Sequence, residues 1–325
     1  MFQSDYCDMI RIGVLGYDPI LPVCLQLIQE LPGFEAVQGY SELSIEISLI
    51  EQCGLYCAQS TQDLFHQSDI ILFLSKERQQ LRLVEKAIKY HKHIYLYQFN
   101  QFQTDYMHHL NNLCQETGVA TMVHLAWMHH PITYGILPHL TQPQRIEVNF
   151  EGLLDMEHDS LVEYSTLLNP SMLLYSLNNS HNSRTSIQRI TVAEQNSEAL
   201  NIRFEYPHGC VADIMLDSVI DSNNKELKIY QKHTYLQANY SNSELRLHYI
   251  EPRNKNIVKS KTAIQAVNIE KPTINIQQLP SLTQFLLSVQ NHENMPLGSI
   301  PDLYNAMRVT DRLKEKIALS EMFVQ

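Results

Sequence analysis

The sequence predicts an α/β chain in two parts, a doubly wound parallel sheet followed by an α+β domain with a large, mostly antiparallel open sheet. Three observations carry this. Up to about residue 125, short apolar runs alternate with segments of helical period, the βαβαβ pattern of a parallel sheet. Beyond it, long segments alternate apolar and polar residues with a period of two, as antiparallel strands with one buried face do. And 325 residues with a 44% hydrophobic fraction suffice for two cores, placed at 1–125 and 126–325.

The elements follow in order. "RIGVLG" (Arg11–Gly16) is an apolar strand ending in a glycine turn, and "LPVCLQLIQEL" is a helix closed by Pro32-Gly33. "FEAVQGY" is the second strand, followed by a helix near Ser44 to Cys53. Cys53 and Cys57, four residues apart, suggest one helix face. "IILFLS" (Ile70–Ser75) is the most apolar strand. "QQLRLVEKAIKYH" puts Leu81, Val84, Ala87 and Ile88 on one helical face. "HIYLYQF", the helix "TDYMHHLNNLCQETG" and the strand "VATMVHLA" complete the first part. The second part offers "QRIEVNFEG", "IQRITVAEQ", "ALNIRFEYPHGCVADIMLDSV", "ELKIYQKHTYLQANYS" and "ELRLHYI" as strands. A closing helical segment runs from about Leu282 to Phe323, broken by Pro296 and Pro301.

Composition narrows the function. A formal net charge of −11, with no basic patch interleaved with aromatics, argues against nucleic acid or an anionic membrane as partner. No apolar run is long enough to span a bilayer, and the N-terminus lacks the basic and apolar regions of a signal peptide. Six scattered cysteines without metal-type spacing read as free thiols of a reducing cytoplasm. Only 10 glycines occur in 325 residues, about half the usual ~7%, which leaves few positions where backbone approaches a phosphate closely.

The glycine turn itself is unusual. A dinucleotide site needs free N–H groups at the start of the first helix. Here Gly16 is followed by Tyr17, Asp18, Pro19, Ile20, Leu21 and Pro22. Asp18-Pro19 reads as an N-cap followed by proline at the first helical position. The carboxylate then satisfies those N–H groups and puts negative charge where a pyrophosphate would sit. Tyr17 adds bulk, and Pro19 and Pro22 remove two donors.

Over nearly its whole length the chain resembles the glucose–fructose oxidoreductase / inositol dehydrogenase (Gfo/Idh/MocA) family. "SDIILFLSKERQQLRLVEKAIKYHKHIYLYQFN" tracks the family's D-x-V-x-I-x-T-P…A-L…G-K-H-V-x-x-E-K-P stretch without a gap. "FEYPHGCVADIMLDSV" resembles its F-x-N-G-x-x-A hairpin, and "LPSLTQFLLSVQNHENMPLGSIPDLYNAMRVTDRLKEKI" its closing helices. The resemblance implies a Rossmann domain that binds NAD(P), and a C-terminal α/β domain whose open sheet often forms a dimer. It also shows departures. The family's cofactor positions correspond to Gly16, Tyr17, Asp18, Tyr40, Ser75, Gln80 and Tyr97. Of these only Gly16 keeps the family's residue, and the position of the ribose-binding acid falls near Tyr40 and Ser41. The catalytic lysine of Glu-Lys-Pro becomes Gln98, which neither carries charge nor transfers a proton. The family's substrate-facing Asp and His correspond to Tyr164 and Leu168. Tyr97 and Tyr164 are the remaining candidate proton donors.

Fifteen histidines are many. His129-His130 in "WMHHP" stand where the family's substrate cleft opens, but no carboxylate or cysteine lies beside them at metal spacing. His91 and His93 read as surface groups. The expectation is therefore a homologue with degraded cofactor and catalytic sites, with no cofactor and no metal, serving as a binding or partner subunit. The alternative is an NAD(P)-dependent oxidoreductase acting on a sugar or sugar derivative with atypical residues. The expected assembly is a homodimer through the C-terminal sheet or a hetero-oligomer with an active paralogue.

Overall fold

The computed structural model describes residues 9–74, 80–97, 103–125, 127–151, 164–178, 182–192, 197–217, 224–250, 262–267, 279–293 and 297–322. The chain forms two compact units, Met1–His129 with Pro272–Tyr304, and His130–Lys271 with Asn305–Gln325. The return of residues near 280–304 to the first unit is what a linear division at residue 125 leaves out.

In the first unit, six strands form one all-parallel sheet in the order β3-β2-β1-β4-β5-β6. They are β1 (Ile10–Leu15), β2 (Phe34–Tyr40), β3 (Tyr56–Cys57), β4 (Ile70–Phe73), β5 (His93–Leu96) and β6 (Thr121–Val123). The order reverses between β1 and β4, the switch point where doubly wound sheets bind their ligands. β4 is buried throughout, as a central parallel strand must be. Helices α1 (Leu21–Glu30), α2 (Ser44–Gln52), α3 (Thr61–Gln67), α4 (Gln80–Lys89) and α5 (Thr104–Thr117) connect the strands. α5 ends at Gly118, whose φ of 68° lets its N–H reach the Cys114 carbonyl. Later in the chain, α8 (Pro280–Asn291) packs on β5 and β6. Its Leu282, Phe285, Leu286 and Val289 join the core of α1 and the sheet, each contributing about 1.5–3 kcal/mol by burial.

The expected helix-face pairing of Cys53 and Cys57 does not occur. Cys53 caps the end of α2, and Cys57 lies in β3 after a turn at Gly54. All five described cysteines are free.

The second unit is an eight-stranded sheet in the order β14-β13-β12-β11-β7-β10-β9-β8. The strands are β7 (Pro143–Glu151), β8 (Arg184–Val192), β9 (Ser197–Glu205), β10 (Val211–Asp217), β11 (Lys225–Gln231), β12 (Thr234–Asn239), β13 (Glu244–Ile250) and β14 (Thr262–Val267). Only β7 and β10 pair in parallel. The fold class read from the sequence is thus the one found. Two short helical segments, α6 (Pro131–Ile136) and a 3₁₀ turn at Leu137–His139, lead into β7, and α7 (Tyr164–Asn178) follows it. α7 escapes sequence reading because Pro170 sits inside it and apolar residues surround it. α9 (Ile300–Met322) is unbroken. Pro301 occupies its first turn, where no intrahelical N–H bond is lost, while Pro296 and Phe323 lie outside the described residues.

One face of this sheet is apolar: Ile146, Val148, Phe150, Leu227, Ile229, Leu236 and Ala238 are buried. The other carries rungs read from the register. One rung runs Arg203–Asp213–Glu147–Lys228–Gln237–Arg246. The alternation expected along "ELKIYQKHTYLQANY" is present, with Tyr235, Gln237 and Asn239 outward. Across the wider face the neighbouring strands add paired charges. Arg145 binds Glu147 at 2.9 Å and Asp213 at 3.1 Å, and Lys228 binds Glu226 at 2.6 Å.

Candidate functional site

The turn after β1 stands at the carboxyl end of the sheet, where a pyrophosphate would be held. Gly16 has φ 78° and donates its N–H to the Tyr40 carbonyl at 2.8 Å. The Asp18 carboxylate accepts the Ile20 N–H at 3.0 Å, and the Asp18 carbonyl accepts from Leu21 at 2.9 Å. Asp18 is buried, 7% exposed. The helix starts at Leu21 as read, but its cap lies two residues later than expected. Its cap is Ile20 and Pro22 falls in its first turn, so Asp18 closes an Asx turn ahead of the helix rather than capping it. The Asp18 carboxylate thus occupies the Ile20 N–H. Burial and then the Asp18 charge push the neighbouring Cys24 thiol up to about 12. Tyr17 packs its ring on the core of the first unit.

At the end of β2 stand Tyr40 and Ser41, which align with the family's ribose-binding position. A carboxylate nevertheless stands there: Ser41 Oγ donates to Glu46 at 2.7 Å and accepts the Leu43 N–H at 3.1 Å. Sequence reading missed Glu46 because it lies on α2, six residues past Tyr40.

At the ends of β5 and β6 the structure gathers a cluster that no motif announces. The Tyr95 hydroxyl lies 2.8 Å from Ser281 Oγ, which lies 2.9 Å from His124 Nδ1. The His124 ring stands 5.1 Å from Tyr97 and stacks on His129 at 5.5 Å. His129 Nε2 bonds the Val123 carbonyl at 3.0 Å. Burial holds His124 down to about 4 and, with the adjacent His124, His129 down to about 3, so both are neutral at pH 7. Ser281 lies 157 residues from His124, which hides the arrangement from sequence. Tyr97 is half-buried here, with its N–H on the Phe73 carbonyl at 3.0 Å. Ser75 and Gln98 lie outside the described residues, as does the side chain of Gln80, which opens α4.

In the second unit, Tyr164 opens α7, its hydroxyl donating to the Met307 carbonyl at 3.4 Å. Leu168, one turn on, is 1% exposed and belongs to the core. A position that would present a histidine to substrate holds packing here. His130 caps α6, with Nδ1 accepting the Ile132 N–H at 3.2 Å. His129 and His130 therefore have separate structural tasks. Among the described residues no three His, Cys, Asp or Glu groups converge as metal ligands. His91 takes a positive-φ turn position as a surface residue, but His93 corrects the surface reading. It is half-buried, and its Nδ1 accepts the Ala120 N–H at 3.0 Å.

No family model matches the sequence, and no curated protein matches it. Solved structures do. UDP-N-acetylglucosamine 3-dehydrogenase GnnA from Acidithiobacillus ferrooxidans is 13% identical with a TM-score of 0.73, over 94% of this chain and 97% of that one. A dehydrogenase from Chromobacterium violaceum is 11% identical with a TM-score of 0.75, over 97% of each chain. Biliverdin reductase from Synechocystis sp. PCC 6803, solved with biliverdin and NADP+, is 11% identical with a TM-score of 0.63, over 95% of this chain and 98% of that one. These solved structures are dehydrogenases and oxidoreductases of the Gfo/Idh/MocA type, and this chain has their fold.

Proposed function

We propose that this chain is an oxidoreductase homologue with degraded cofactor and catalytic sites, acting as a binding or partner subunit in the cytoplasm. The observation that carries the reading is the Asp18 Asx turn. Its carboxylate bonds the Ile20 N–H at 3.0 Å where a dinucleotide phosphate would need that donor. Bringing a pyrophosphate to a buried carboxylate costs both repulsion and a lost hydrogen bond. Leu168 in the core and Gln98 in place of the lysine add to it. The five free cysteines support a reducing compartment.

A second reading is an NAD(P)-dependent oxidoreductase acting on a sugar or sugar derivative. The comparisons favour it, since the similar structures are dehydrogenases and reductases, one of them solved with NADP+. Glu46, held by Ser41 at the end of β2, favours it too, as an acid in reach of a ribose position. Calorimetric titration with NAD+, NADH, NADP+ and NADPH separates the two. The first reading expects no Kd tighter than about 0.1 mM for any form, equivalent to about −5.5 kcal/mol. A tighter one overturns it in favour of the second.

For assembly, we propose a homodimer through the helix-free face of the second unit's sheet, or a hetero-oligomer with an active paralogue. Paired charges such as Arg145 with Glu147 and Asp213 support this, because burying a compensated pair costs far less than burying a lone charge. Light scattering after size exclusion at micromolar concentration should give twice 37.7 kDa. A 37.7 kDa monomer rules out the homodimer, and failure to co-purify a related oxidoreductase from the host then rules out the hetero-oligomer.

A further inference from the structure

The chain holds 24 Lys and Arg against 35 Asp and Glu, so free cations are scarce. Most of the exposed arginines described in the second unit's sheet are paired: Arg145 with Glu147 and Asp213, Arg203 with Asp213, Arg246 with Glu244. Arg184 and Arg312 depart from this. Neither forms an ion pair among the described residues, and both line one cleft with Lys316. Its described lining contains no carboxylate.

The cleft lies between the start of β8 and α9. On the helix, Val309, Arg312, Leu313 and Lys316 recur at i, i+3, i+4 and i+7 and so share a face. On the strand side, Asn182 Nδ2 donates to Thr185 Oγ1 at 2.6 Å, and Lys316 Nζ donates to the Thr185 carbonyl at 2.7 Å. Ser183 donates its N–H at 2.7 Å and its hydroxyl at 2.9 Å to the Glu205 carbonyl. The wall is therefore fixed before any ligand arrives, which lowers the cost of binding.

A second observation is independent of the charges. A small hollow lined by Ser171 shares Asn182 and Val309 with the cleft. Ser171 is 4% exposed, and its Oγ has no hydrogen-bond partner among the described residues. A buried hydroxyl without a partner is costly, and this one lines a hollow that shares two residues with the cleft.

We propose that this cleft binds the phosphate group of a small phosphate monoester. Two guanidinium forks match the planar oxygen pairs of a phosphate, and the lysine adds a point charge. A volume of about 230 Å³ accommodates a phosphate with a few further atoms. It falls below the roughly 300–1,000 Å³ of sites for larger ligands, so a dinucleotide is not the occupant. The inference stands apart from the cofactor question, because it rests on no residue of the first unit.

The test is calorimetric titration of the full chain, in buffer free of phosphate, with inorganic phosphate, glycerol 3-phosphate and glycerol. Both phosphates should bind with a Kd of about 1 mM or tighter and glycerol should not. Arg184→Ala and Arg312→Ala should each weaken binding about tenfold or more, and Arg312→Lys should weaken it less, keeping charge without the fork. Lys232→Ala, at an exposed position lining a different cleft of the same unit, should change nothing. Absence of heat at about 10 mM phosphate, or equal losses from Lys232→Ala and Arg312→Ala, would overturn the proposal. Should Arg312→Ala fail to fold, unaltered binding by Arg184→Ala and Arg312→Lys would overturn it equally.

Discussion

Replacing Gly298 by alanine is expected to destabilise the first unit by about 2–4 kcal/mol, the sum of a backbone and a packing penalty. Gly298 has φ 86°, a conformation that alanine adopts only at a cost of about 1 kcal/mol. An added Cβ would also meet Met128 Cε at 2.5 Å and His129 Nε2 at 2.7 Å. Met128 Cε ends a flexible side chain, but His129 does not move freely. His129 is pinned to the Val123 carbonyl and stacked on His124. Nor can the glycine retreat, because its carbonyl accepts the Val123 N–H at 2.7 Å and Ile300 N–H holds Thr121 Oγ1 at 3.0 Å. Gly118→Ala separates the two penalties. Gly118 has φ 68° but nothing within 4 Å of its Cβ position, so only the backbone cost of about 1 kcal/mol should appear. Denaturant unfolding of both variants at constant m-value measures the difference. Equal losses would mean that the segment yields and that the histidine cluster is not rigid.

The fold was legible because its signals are local and repeated. Ile70–Phe73 is a run of buried strand, and Leu227, Ile229 and Leu236 alternate with outward residues as the pleat requires. The Asp18 turn was legible for the same reason: Asp18 and Ile20 are two residues apart, within reach of a single Asx turn. The identity of the helix cap was not, since Pro19 and Pro22 are both acceptable first-turn residues and sequence cannot choose between them. What sequence hid are partnerships set by tertiary structure alone. Ser281 reaches His124 only because α8 returns to the first sheet. Arg184 and Arg312 meet because β8 and α9 fold onto one edge of the second. Leu168 was aligned to a substrate-facing histidine, but its place in α7 points it into the core.

Acid should unfold the first unit well above the range of ordinary carboxylate titration. His124 and His129 titrate near 4 and 3 when folded, against ~6.5 in an unfolded chain. Both values are depressed by burial, so the folded state disfavours the proton. Above pH ~6.5 both forms are neutral in both states and the groups leave stability unchanged with pH. Below it the unfolded chain takes up protons that the folded chain refuses, and stability falls as pH drops from ~6.5 toward 4. Two such groups give a slope of up to about 2.7 kcal/mol per pH unit. His93, also lowered by burial, adds to it in the same direction. His124 faces Tyr97 and Ser281, and His129 faces the Val123 carbonyl and the neighbouring imidazole. Carboxylates held low by partners, such as Glu85 at about 2 beside Lys89 and Tyr106, lose their contribution from the usual carboxylate range (~4.3) downward, so their window lies below that of the histidines. Urea unfolding at half-unit steps from pH 7.5 to 4.5 reads the slope. His129→Gln, whose amide can still donate to the Val123 carbonyl, should remove close to half of the contribution from the pair. A flat profile between pH 6.5 and 5 would show that water or a rearrangement reaches these rings on protonation, and that they are not the sealed neutral pair described here.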